Sequence, residues 1–470
     1  EEKATYPRFQ SANARLQIKQ IVDGVDYIGG FALHGNEVIG RGAGEDQAHV
    51  IFYRKELPFV KMSSQAFIIK PDRIVSENSS FTMYLKEDSI FHPGLIFKFF
   101  FDKRQLNLIR DNKGLKKTPY SNSYHKIDMD FEYLTWAVDS PMVQFRNLVG
   151  GTKTDAMFIS QDFFRMDAYM SFLGTGTQHP LYALRVLTHK LDTNFITLSQ
   201  LANHMRYSIE QLEAFLLDLS YKGFIIYDYE NKTFIVKDKL KNWVSASGGN
   251  IDYDVIGFYS NTKSPNNATL SLLNYDVQMR GVKSINLSDS QQVVIYPTNR
   301  EITLKKNRDF KFSGVVQAGR FDFMGHDFYF KYDDFKIDMP NVDSLRIYAE
   351  TGRSDEFGKP IIKPVKTVIQ QINGDLLIDK PTNKSGIKPF HEYPIFNSFK
   401  DSYVFYDRKS IQGGVYQKDG FYFHVEPFTI DSLADFDNES LRFDGTLVSG
   451  GIFPDIKETL TLQSDHSLGF

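Results

Sequence analysis

Through most of the first 155 residues, apolar and polar positions alternate in short runs bounded by Gly, Asn, Asp and Pro. Ala48–Tyr53 and Phe81–Leu85 are rich in β-branched and aromatic residues, which predicts strands. Ile127–Tyr133 alternates strictly, with Asp128, Asp130 and Glu132 on one face and apolar side chains on the other. That pattern predicts a half-buried strand with a solvated acidic face. From about 156 to 247 the period becomes helical. Ser160–Phe172 and Leu181–Leu191 read as helices, and Thr197–Gln200 and Ser208–Gln211 are capping boxes that each open another. Ile209, Leu212, Phe215, Leu216 and Leu219 form the inner face of the last helix, and Lys222-Gly223 stops it. Phe224–Tyr227 and Thr233–Val236, joined by a turn at Glu230–Lys232, predict a two-stranded wing. Helix, tight turn, helix, hairpin: the order resembles a winged helix-turn-helix.

Ser245–Asn250 reads as an exit linker and Asn261–Thr269 as a loop; strands return from Leu270. One brief helix is expected over Val365–Ile372, ended by Asn373-Gly374. The expected domains are an N-terminal β-region (1–155), a helical, winged-helix-like module (156–250) and a C-terminal repeated β-region (251–470). If the module is an insertion, deleting about 156 to 247 should leave a folded β-protein.

An internal repeat marks the C-terminal half. Asp327-Phe328-Tyr329-Phe330 matches Gly420-Phe421-Tyr422-Phe423, and Phe335–Asp338 matches Phe428–Asp431 at the same spacing. Ser344-Leu345-Arg346 matches Ser440-Leu441-Arg442 after a short insertion. A second motif, aromatic or Ile, any residue, Gly, four residues, Gly, occurs at Phe312/Gly314/Gly319, at Phe443/Gly445/Gly450 and at Ile28/Gly30/Gly35. Recurrent strand units suggest repeated antiparallel β-layers, solenoid- or sandwich-like, each burying its apolar face on the next. The fold class is therefore mainly β with an α insertion.

Composition sharpens this. The chain has 470 residues, more than one core usually holds, and 41 Phe and 25 Tyr against 2 Trp, a bias that suits pleated surfaces. A net charge of -3 gives no electrostatic reason to expect nucleic acid. With no cysteine, disulfides, thiolate metal sites and cysteine nucleophiles are excluded. No apolar run is long enough for a membrane helix. The opening Glu1-Glu2-Lys3 is not a secretory-signal pattern, although a processed chain would look the same. A membrane β-barrel is set aside, because Leu468, His466 and Ser464, of one parity with Phe470, do not form an apolar row.

Several segments resemble an internal piece of large, uncharacterised β-rich cell-envelope proteins of Bacteroidota: Asp343–Gly352, Asp379–Gly386, Tyr406–Tyr416, Ser440–Pro454 and the closing Ser467–Phe470. The resemblance implies an exported, envelope-associated protein, periplasmic or outer-membrane-associated, and brings no catalytic residues with it.

Candidate chemistry is sparse. The helix after the second capping box offers Glu210, Glu213 and Asp218, with Lys222 at its end, and six basic residues face seven acids between Asp192 and Lys241. That balance is wrong for DNA and points to a protein-contact or structural module. His125 has the parity of Ile127 and Met129, away from Asp128 and Asp130, so a metal site there is not expected. Gly40–Gly44 leads into a strand and reads as turn glycine rather than a phosphate loop. His326-Asp327, His424 and His391-Glu392 have no metal-ligand spacing. No catalytic, cofactor or metal residues are assigned.

The expectation is a non-enzymatic envelope scaffold or protein-interaction protein. Its first alternative is a lipid or apolar-ligand conduit lined by Phe328, Tyr329, Phe330, Phe421, Tyr422 and Phe423. Its second is a carbohydrate-active hydrolase, marked by an open cleft with two acids from separate strands. The expected partner is protein, or else a lipid or other apolar ligand, with no cofactor.

Overall fold

The computed structural model describes residues 8–13, 15–35, 37–42, 46–110, 117–147, 155–173, 178–229, 231–407 and 412–470. Ala43, Gly44, Glu230 and residues 408–411 of the Tyr406–Tyr416 segment, all noted above, lie outside this set. The protein is mainly β, with 51% strand against 14% helix, and its ladders are antiparallel, as the alternating sequence predicts. Two compact units are formed: residues 1–251 with 259–280, and residues 252–258 with 281–470.

In the first unit six strands close into a ring. Val25–His34 pairs with Glu37–Arg41 through its second half and with Ala48–Arg54 through its first. Glu37–Arg41 pairs with Ala66–Ile69, and Ala48–Arg54 with Leu57–Ser64. Both outer strands then meet on Arg73–Leu85. Register shifts between Ser76 and Phe81 bend that last strand where it meets Asp88–Phe100. Val25–His34 turns its corner at Gly29-Gly30. A Cβ on Gly29 would lie 2.4 Å from the Tyr27 hydroxyl, and one on Gly40 2.5 Å from it, so the buried phenol occupies the space both glycines leave. The hydroxyl donates to Gly30 O at 2.7 Å. Phe52 meets Phe97 and Phe99 edge-on, and Phe67 meets Phe97 likewise, so the core is filled with interlocked rings.

Asp88–Phe100 carries the sheet onward. One end pairs with Gln105–Ile109 and then Tyr133–Ala137, the other with Tyr120–Asn122, Ile127–Asp130 and Ala156–Ser160. Here the acidic face departs from expectation. Asp128, Asp130 and Glu132 are buried, not solvated. Alternation identifies a polar face but not what covers it, and this one lies under a buried arginine and the helical module. Ala156–Ser160 is likewise strand, and of Ser160–Phe172 only Met166–Ser171 (α1) is helical.

The other helices are α2 (Pro180–Leu191), α3 (Leu198–Met205), α4 (Ile209–Tyr221) and α5 (Asp238–Ser247). Both capping boxes form, with Gln200 N donating to Thr197 Oγ1 and Gln211 N to Ser208 Oγ. The expected two-stranded wing has a third strand, Phe195–Thr197, on the free edge of Thr233–Val236, whose other edge takes Ile225–Asp228. The expected linker at Ser245 begins inside α5, whose Leu240, Trp243 and Val244 are buried. Trp243 Nε1 donates to Phe163 O at 2.7 Å, and its ring packs on Phe164 and Phe224.

In the second unit an antiparallel run passes through Val293–Pro297, Phe310–Ala318, Phe321–Lys331, Lys336–Ser354 and Ile369–Leu377. A second run joins Ser402–Phe405, Tyr422–Val425, Arg442–Val448 and Ile456–Leu462. The glycine motif recurs as one device. Gly35, Gly319 and Gly450 have φ of 66°, 56° and 63°, the left-handed conformation of the turn that follows each motif strand. Val365–Ile372 is not a helix. Gln371 has a positive φ of 59°, and Ile369 and Ile372 on either side of it are both buried, a local spacing of three that mimics a helical period.

Candidate functional site

The helical module stands on the β-framework of its own unit through polar contacts that water does not reach. Lys239 Nζ lies 3.0 Å from Asp128 Oδ2, with both side chains largely buried. Burial alone would raise the Asp128 carboxyl, but Lys239, Lys237 and a hydrogen bond from Gln161 outweigh it and hold the carboxyl below its usual range. Thr118 and Ser220 share a hydroxyl hydrogen bond of 2.9 Å, while inside the module Arg185 of α2 donates to Ser245 of α5. Beside them Arg110 pairs with Asp130.

Two histidines are sealed into the same framework. His92 Nε2 donates to Thr118 O while its Nδ1 accepts from Gly94 N. Desolvation, reinforced by Arg110, pushes this ring down to about 3. His125 accepts from Asn122 and donates to Tyr275 O; burial pushes it down to about 4. With both nitrogens engaged, His125 is a structural residue.

The α4 charges named from the sequence are drawn into the module's own structure. Glu213 accepts from Lys232 at 2.6 Å, and Asp218 from Lys222 at 2.8 Å one turn along. Lys222 also lies 4.3 Å from the Phe172 ring centre. Glu210 sits at the helix start, where a backbone N–H and Ser208 hold its carboxyl below the usual range. Among its exposed residues the module also carries large apolar side chains. Tyr182 (49% exposed) and Val186 form an i, i+4 row on α2, and Phe195 (54%) and Ile235 are a cross-strand pair on the small sheet. Exposed Met166 and Met170 form a similar row on α1. Sequence reasoning missed these residues because each fits an amphipathic pattern.

The aromatic triplets occupy two different clusters of the second unit. Phe328 and Phe330 are fully buried, packing on Phe312 and on Phe310 and Phe335, while Tyr329 donates to Asp309. Phe423 is buried near Phe470, while the half-buried Tyr422 and Phe421 meet Tyr403 and Tyr416. Asp379–Gly386 is a polar knot: Asn383 Nδ2 donates to both Asp379 oxygens and to Lys388 O, and Gln291 donates to Asp379. His326 pairs with Asp343, and His424 with Asp401 at 3.0 Å. No group of three metal-ligating residues occurs among the described residues.

The second unit also holds an open polar cleft of about 510 Å³. Its walls come from Glu350–Gly352, from Asn438 to Arg442 and from Thr461 to His466. Glu350 and Glu439 reach it from separate segments, and Glu350 accepts from Arg320 at 2.8 Å. No sequence signal joins these segments.

No family model, curated protein or solved structure matches this chain. Among the described residues no helix is long and apolar enough to cross a membrane. What fold and sites define is a class: a mainly β protein with a docked helical module.

Proposed function

We propose that this chain is a non-enzymatic scaffold of the cell envelope whose helical module engages a protein partner. The observation that carries this reading is the set of large apolar side chains the module leaves exposed. Of its α4 acids Glu213 and Asp218 are tied up in internal pairs, whereas Tyr182, Val186, Phe195 and Ile235 stay exposed. Exposed aromatic and aliphatic side chains on a firmly held platform suit an interface anchor. The near balance of charge along this segment disfavours an anionic nucleic acid or lipid surface. The envelope assignment rests on the resemblance of the C-terminal segments.

Photo-crosslinking tests it. A photoreactive residue at Tyr182 or Phe195 is expected to give a discrete protein adduct in an envelope-bearing host, while one at the exposed Lys283 gives none. Absence of module-specific adducts, or a stoichiometric lipid in native mass spectra, would overturn the reading.

A further inference from the structure

We infer that the polar cleft of the second unit binds a neutral oligosaccharide. This goes beyond the scaffold reading, involves the other unit, and stands or falls independently of it.

The cleft is built rather than incidental. Glu350 N donates to Asn438 Oδ1 and Asn438 Nδ2 returns a bond to Glu350 O, at 3.2 and 2.9 Å, which locks two walls together. Gln463 Nε2 is held by Thr461 Oγ1 and Gly469 O, and His466 Nε2 faces Ala349 O. These bonds fix the walls of the cleft, so its shape is set before a ligand arrives. Its volume falls in the roughly 300–1,000 Å³ range of small-ligand sites.

The groups left over define the ligand. Among the described residues, the Arg442 guanidinium, the Glu439 carboxylate and the Ser464 hydroxyl make no side-chain hydrogen bond or ion pair. Arg442 lies directly across the ladder from Thr461, so a planar donor fork and a hydroxyl stand side by side. Carboxylate and guanidinium both engage two neighbouring atoms at once, which matches the adjacent hydroxyls of a sugar ring. Charge narrows the class further. Glu350 is compensated by Arg320, and Glu439 is offset by Arg442, so a strongly anionic or cationic ligand would leave one charge of the cleft opposed. Leu462, half-buried in the wall, supplies the apolar contact for a ring face.

The test is titration of the full chain, by calorimetry and ligand-observed NMR, with maltotetraose, mannotetraose and chitotetraose. Inorganic phosphate and an oligogalacturonate serve as charged controls. At least one neutral tetrasaccharide is expected to bind. Arg442→Ala and Glu439→Ala should each weaken it at least tenfold without lowering the melting temperature, and Lys457→Ala should leave it unchanged. No binding of any neutral probe up to about 10 mM, stronger binding of a charged control, or full retention in Arg442→Ala would overturn the assignment.

Discussion

Lys239 of α5 reaches 3.0 Å from Asp128, a residue 111 positions earlier, and so fastens the helical module to the sheet. Removing one partner of a buried pair strands the other, at about 3–5 kcal/mol. Lys239→Met is therefore expected to destabilise strongly, and Asp128→Asn combined with it to recover most of the loss, in urea titrations that follow Trp243 fluorescence. Deleting 156 to 247, which the sequence presents as harmless, would remove both Lys239 and the ladder of Ala156–Ser160. Its expected outcome is a loosened first unit rather than an intact one, read by loss of a cooperative melt.

His92 and His125 make the fold sensitive to mild acid. Their folded-state values lie below that of an unfolded histidine, so the unfolded chain takes up protons first as pH falls below about 6.5. Stability should drop between about pH 6.5 and 4 by roughly 1 kcal/mol per pH unit for each histidine. Unfolding free energies measured across that range should show a clearly shallower slope in His125→Asn.

Tyr27 sets a steric limit on its corner. Gly40→Ala would press a methyl group into the Tyr27 ring and is expected to cost about 1–3 kcal/mol. Adding Tyr27→Leu should relieve part of the fall in melting temperature caused by Gly40→Ala, because every close contact of that methyl is to the tyrosine.

The two capping boxes offer a comparison of local terms. Thr197→Ala or Ser208→Ala should each cost about 1 kcal/mol. Glu213→Ala, which breaks a partly exposed pair with Lys232, should cost only a few tenths of that. Thermal denaturation of the three variants separates cap from ion pair.

These residues also show why some of the molecule was legible in its sequence. A capping box is complete within four residues, and a turn glycine such as Gly319 or Gly450 answers a local backbone demand, so both are readable. Around the left-handed Gln371 both Ile369 and Ile372 are buried, and this spacing of three counterfeits a helix. Reading Ser245–Asn250 as a linker cut across α5, whose buried Leu240, Trp243 and Val244 keep helical spacing. Asp128 looked solvated because nothing in its neighbourhood of the chain names Lys239. The cleft is the extreme case: Glu350, Arg442 and Gln463 meet only once long-range ladders have formed.

The ring of six strands has one more implication, for the order in which the chain becomes protein. All its ladders lie within one uninterrupted stretch, Val25 to Leu85. Synthesis therefore delivers a complete ring before any helix exists, and Phe97 and Phe99 arrive next to fill its core. Each ring strand already has neighbours on both sides, which leaves a nascent chain few bare edges to pair wrongly. Sequence order thus puts every ladder of the ring ahead of the acidic strand and its helical cover.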